Sequence, residues 1–221
     1  MNDTGKRKII LDTARILFYD QGYKNTYFDQ IAEKCMVSKP LISYHFNSKA
    51  ALAKEVREEY VSDIKNLVSF KVYKYYFDMQ SYDLQVSTAV EIRLTLMMEM
   101  LDKNVYRFVS ERADDKYDEL HPRHNINKYE MHDRQYKLDI NREADELKMI
   151  STSVPAANFA VIRSFMEGEY KCTAEQCLDY CVATCFRLMH IDENRVQEII
   201  EQSKVVISTV KFDIQPYFRI V

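Results

Sequence analysis

Glycine and proline are scarce in this chain: three and four residues among 221, where average usage supplies about fifteen and about ten. Folds rich in β-structure spend those residues on turns, so a chain this poor in both is predicted to be almost wholly helical. No apolar run approaches the ~20 residues needed to span a bilayer. The first residues, MNDTGKRKIILDTARILF, lack the uninterrupted apolar stretch and small-residue cleavage site of a secretory leader. Five cysteines are an odd number without a secreted-type framework, which points to reduced thiols in a cytoplasmic protein. There is no Gly-rich phosphate loop, no G-x-S-x-G and no CxxC. Nothing therefore supports an enzyme, and nothing calls for a cofactor or a metal.

What is present is apolar, charged and periodic. Hydrophobic residues make up 47% of the chain and the net charge is −3. Residues 1–60 carry ten basic and eight acidic side chains, a balance of +2, and the remainder holds −5. The asymmetry mildly favours a polyanionic partner for the N-terminal part. Ile10, Ala14, Leu17 and Phe18 repeat at helical spacing, and Gly22 stands where a residue free to adopt positive φ would end that helix. Phe28, Ile31, Ala32 and Cys35 mark a second short helix with Thr26 as a candidate cap. A third buries Val37, Ile42 and Phe46. If Ser38 caps it, Pro40 falls at the second helical position, where its missing N–H costs no intrahelical bond. Further helices are predicted at 49–78, 83–101, 103–119, 127–150, 155–167, 173–190 and 192–211. Breaks fall at Ser81-Tyr82, His121-Pro122, Ser153-Val154-Pro155 and Gly168, and Thr173 to Gln176 has capping-box spacing.

Two short helices joined by a tight turn, the second with an exposed polar face, form a helix-turn-helix unit. The order Thr26, Ile31-Ala32, Val37-Ser38, Tyr44-His45-Phe46, Ser48-Lys49, Leu52 resembles the TetR family of bacterial transcriptional regulators over about residues 6–53. Met36 stands where that family usually has a turn glycine, so the turn must close without one. With Ile42 and Phe46 inward, Ser38, Lys39, Leu41, Tyr44 and His45 fall on the outer surface. Lys39 and Leu41 are the candidates for base edges: an ammonium suits guanine O6/N7, and an aliphatic tip suits a thymine methyl. The resemblance implies phosphate contacts from Tyr44, His45 and Lys49, with Thr26 near the DNA backbone.

The expected architecture is all-α: a helix-turn-helix DNA-binding domain over 1–50, then a helical effector-binding and dimerisation domain over 51–221. Tyr73, Phe77, Met97, Tyr106, Phe159 and Phe165 belong to an unusual load of aromatics and Met in the middle helices, and they are candidates for an apolar effector pocket. Two stripes on the last helices are candidates for a two-fold interface: Leu178, Cys181 and Cys185 on one, Val196, Ile200 and Ile207 on the other. Paired between subunits they would make a four-helix bundle, which the resemblance also implies. Cys177, Cys181 and Cys185 lie at i, i+4, i+8 with Cys172 nearby. Eight residues of helix span ~12 Å, whereas two sulfurs on one zinc lie at most ~4.6 Å apart, so buried thiols acting as small apolar residues are expected. A solvated loop and helix start accounts for His121, His124, Glu130 and His132. The function expected is a ligand-responsive DNA-binding regulator, a repressor released from a palindromic double-stranded operator by a small-molecule effector. Alternatives are a non-repressing activator and a helical protein–protein adaptor.

Overall fold

The computed structural model describes residues 3–77, 81–115 and 126–221. His121, His124 and the His121-Pro122 break lie outside the described residues, as does the end of the helix predicted at 103–119. The chain divides into two compact units. The first joins α1 (Asp3–Gln21), α2 (Phe28–Cys35), α3 (Lys39–His45), α4 (Lys49–Phe77) as far as Ile64, α5 (Leu84–Leu101) from Met98, and α6 (Lys103–Asp115). It is completed by a small antiparallel hairpin of β1 (Ile214–Gln215) and β2 (Arg219–Ile220).

In this unit α1 is the central support. Ile10, Ala14 and Phe18 are fully buried beneath α2, α3 and α6. Gly22 ends α1 at φ +84°, and a Cβ there would sit 2.5 Å from the Glu111 carboxylate. Across that gap Arg107 of α6 donates to the carbonyls of Tyr19 (2.8 Å) and Asp20 (2.9 Å), a cation on the negative end of the helix. At the other end Arg7 pairs with Glu55 of α4 and lies over the Phe46 ring.

The second unit holds the rest of α4 and α5 with α7 (Ile126–Tyr136), α8 (Glu146–Met166), α9 (Ala174–Leu188) and α10 (Glu193–Val210). The predicted capping box forms: Thr173 Oγ1 accepts from the Gln176 N–H, and the Gln176 side chain accepts from the Thr173 N–H. Partly buried ion pairs and hydrogen bonds link α5, α9 and α10. Arg93 reaches Asp179 of α9 and Ser203 of α10, and Lys204 also binds Asp179 at 2.8 Å.

Two expectations fail here. The helix predicted at 127–150 is interrupted between Tyr136 and Glu146, with Lys137 and Asp145 at positive φ. The break predicted at Ser153–Pro155 is absent, because α8 runs through Pro155. Proline inside a helix costs about 3 kcal/mol. Ile150, Val154 and Ile162 nevertheless carry one buried stripe across it, and burying each is worth about 1.5–3 kcal/mol. The hairpin after α10 had no counterpart among the expected elements.

Candidate DNA-reading surface

The reading surface is built on α3, which seven residues could not hold alone. Ile42 is fully buried and Phe46 nearly so; they anchor its underside. Ser38 caps it in extended conformation and Pro40 lies in its first turn, as the spacing required. Between α2 and α3, Met36 adopts the left-handed conformation (φ 52°, ψ 46°) usually given to glycine. Its N–H bonds the Glu33 carbonyl at 3.2 Å, and that of Val37 closes back on Ala32 at 3.0 Å. The Met36 side chain, 92% exposed, packs on nothing that would repay the strain.

Ser38, Lys39 and Tyr44 face outward, Tyr44 with 73% of its surface exposed, and Leu41 is half-buried. Lys39 is engaged: its ammonium sits 2.9 Å from both carboxylate oxygens of Asp29 on α2. Reaching a base would require exchanging Asp29 for the groove. Lys49, at the start of α4, donates to the Tyr23 carbonyl at 3.0 Å and lies over the rings of Tyr23 (4.3 Å) and Tyr27 (5.3 Å). That clamp aims the charge beside α2, and sequence spacing gave no sign of it.

Two candidates depart from expectation. Thr26 is completely buried; its hydroxyl donates to the Gly22 carbonyl at 2.7 Å and accepts from Gln21. Neither hydroxyl nor N–H is turned outward, and Tyr27, not Thr26, caps α2, with its N–H bonded to the Gln30 side chain. The packing of the α1–α2 corner thus takes up the hydroxyl expected near phosphate. His45 is not a surface ring: its side chain is almost covered, with Nε2 3.4 Å from the Asp3 carboxylate and no hydrogen bond at that atom among the described residues.

The proposed effector residues differ in exposure and are divided between the two units. Tyr73 and Phe77 are 56% and 67% exposed on α4. Met97, Phe159 and Phe165 are half-buried in the second unit, and Tyr106 belongs to the first. A cavity of about 400 Å³ in the second unit is lined instead by charged residues around the α7–α8 connection, among them Asp133, Arg134, Arg142 and Lys148. The interface stripes are also reassigned. Leu178, Cys181, Cys185, Val196 and Ile200 are buried within the chain's own core, and Ile207 is half-buried. A stripe of apolar residues predicts burial without saying against what. The outward apolar residues of α9 and α10 are Tyr180, Leu188 and Val205.

The polar groups inside the second unit were missed. Lys128 of α7 and Glu91 of α5 pair at 2.9 Å with little exposure. Burial pulls the Lys128 pKa down, but Glu91 more than offsets it and the net shift is upward. Beside them burial pushes the Cys185 thiol up to about 11, with Lys128 acting the other way. His132, expected in a solvated segment, is fully buried. Its Nε2 lies 2.9 Å from the Thr88 hydroxyl and its ring stacks on Tyr136. Burial, with Lys128 second, lowers its pKa to about 4, so the imidazole is neutral at pH 7. Its Nδ1 has no hydrogen-bond partner among the described residues. Among the described residues no three His, Cys, Asp or Glu side chains converge to hold a metal ion, and no helix is long and apolar enough to cross a membrane.

A short helix anchored from beneath, capped, turned on α2 and edged by cations defines the helix-turn-helix head of a DNA-binding protein. Residues 10–56 match the model of the bacterial regulatory proteins, tetR family. That segment is similar to the DNA-binding domain of the tetR family of bacterial regulatory proteins. Solved structures agree in fold along nearly the whole chain. RolR in complex with resorcinol superposes with a TM-score of 0.63 at 15% identity, covering 90% of this chain and 95% of that one. RolR without ligand gives 0.56 at 13%, over 88% and 96%. TylP, a TetR regulator from Streptomyces fradiae, gives 0.53 at 14%, over 96% and 100%. No curated protein matches the chain in sequence.

Proposed function

We propose that the protein is a cytoplasmic, homodimeric repressor without enzymatic activity that leaves a palindromic operator when a small molecule enters its second unit. The observation that carries this is α3 itself: Ile42 and Phe46 fix its underside while Ser38, Lys39 and Tyr44 stand outward. Lys39 and Leu41 read base edges, and Tyr44 and Lys49 hold phosphates. One such head buries too little for high specificity, so two act together on half-sites roughly 34–36 Å apart or a multiple of that. The pairing faces are the outward sides of α9 and α10, with Tyr180, Leu188 and Val205 at their centre.

RolR, whose fold is similar, has been solved with resorcinol. In this chain we place effector recognition at Thr88, Glu91, Lys128 and His132, where a buried neutral imidazole beside a hydroxyl and an ion pair suits a hydroxyl-bearing molecule. Binding favours one spacing of the two heads, and operator affinity falls by no more than the effector's preference for that state.

The test is enrichment of genomic fragments on the purified protein, followed by salt titration of the recovered duplex. Each neutralised phosphate contributes about −0.9 to the log–log slope. Lys49→Gln should weaken binding to all duplexes alike and make the slope shallower by about 0.9. No enrichment over random sequence, or binding indifferent to salt, refutes the function.

A further inference from the structure

After α10 the chain leaves the second unit, and residues 213–221 join the first. There they form a hairpin in which Ile214 faces Ile220 and Gln215 faces Arg219. Strands of two residues do not hold together alone. Its loop also contains two consecutive aromatics at positive φ, Tyr217 at 62° and Phe218 at 58°, a conformation that bulky side chains rarely adopt and that persists only where surrounding contacts impose it.

Those contacts converge on one ring. Phe218 is completely buried and stacks on Tyr60 of α4 at 5.3 Å and 13°. It meets Phe108 of α6 (5.1 Å) and Tyr19 of α1 (5.5 Å) edge to face. Arg15 of α1 donates Nε to the Tyr217 carbonyl at 2.9 Å and Nη2 to that of Phe218 at 2.5 Å. One inserted side chain thus touches the three helices that set the attitude of the head, and α1 is the helix against which α2 and α3 pack.

We propose that the 213–221 hairpin is a positioning element for DNA reading: Phe218 is a wedge and Arg15 its clasp, and together they fix the tilt of α1, and with it the face of α3, against α4 and α6. The proposal rests on the DNA-binding function above. Removing the wedge leaves Lys39, Tyr44 and Lys49 in place, so phosphate attraction persists while the alignment that base contacts need is lost.

The full chain, Phe218→Ala, Phe218→Leu and Arg15→Gln are compared on two duplexes: one enriched from genomic fragments by the wild type, and a scrambled duplex of the same composition. Circular dichroism establishes that each variant is folded. Phe218→Ala should lower affinity for the enriched duplex by about tenfold, comparable to losing one well-read base pair. Scrambled-duplex affinity and the salt slope should stay unchanged. Phe218→Leu, which keeps most of the volume, should restore most of the loss, and Arg15→Gln should fall between. Should Phe218→Ala fail to fold, the same separation is required of Arg15→Gln, with Phe218→Leu closer to wild type. Parallel loss on both duplexes marks a merely structural contact and overturns the proposal, as does wild-type affinity in every variant. Wild type that enriches no duplex refutes DNA binding itself, a distinct outcome.

Discussion

Acid should destabilise this protein through one side chain before general acid unfolding sets in. His132 is fully buried, bonded to Thr88, and its pKa is lowered to about 4 from 6.5. Burial is the main cause and Lys128 the second, while Asp83 and Glu91 pull the other way. Because the folded value is depressed, the unfolded chain takes up the proton first as pH falls. The stability contributed by neutral His132 is therefore complete above about pH 6.5 and is lost as pH drops through about 4. With 1.36 kcal/mol per pKa unit, the loss is about 2 kcal/mol at pH 5 and about 3 kcal/mol at pH 4. The assay is urea unfolding from pH 8 to pH 5, wild type against His132→Gln, which keeps a polar partner for Thr88 but does not titrate. Subtracting the two curves cancels the carboxylates common to both. The difference should be flat above about pH 7 and steepen toward 1.4 kcal/mol per pH unit below pH 6. A difference that stays flat to pH 5, or that favours wild type in acid, refutes the buried, neutral assignment.

Met36→Gly should raise stability by about 1 kcal/mol, read as a higher urea midpoint with unchanged slope, because the left-handed turn carries a side chain that packs on nothing. A lower midpoint would mean that Met36 makes a contact worth more than the strain. Thiol labelling of the native protein at pH 8 should modify Cys35 and Cys172 first and leave Cys177, Cys181 and Cys185 slow, since the last three are buried and the first two are part-exposed; burial raises the pKa of Cys35 as well as of Cys177 and Cys185, so access sets the order. Fast modification of Cys185 would disprove its inert setting.

What could be read from sequence was local. Pro40 in the first turn of α3, Gly22 at positive φ, and the Thr173–Gln176 box each depend on a few neighbouring residues, and each forms as its residue types require; Ser38 stands at the cap position in extended conformation without a side-chain cap bond. The expectations that failed depend on partners far along the chain. Pro155 signals a break, but the stripe it interrupts is buried strongly enough to keep α8 continuous. The α9 and α10 stripes announced burial, and periodicity cannot distinguish a core from a subunit interface. Nothing in residues 121–132 shows that His132 would turn onto Thr88, 44 positions away. Strands of two residues leave no alternation to detect, so the hairpin and its hold on Arg15 were invisible.

The first unit is woven from three separate passages of polypeptide, running to Ile64, from Met98, and from Asp213. Chimeric regulators made by exchanging only the first fifty residues would place a donor's counterparts of Arg15 and Tyr19 against this chain's Tyr60, Phe108 and Phe218. Such grafts should inherit a mismatched socket, and transplanting the head intact means moving all three passages together.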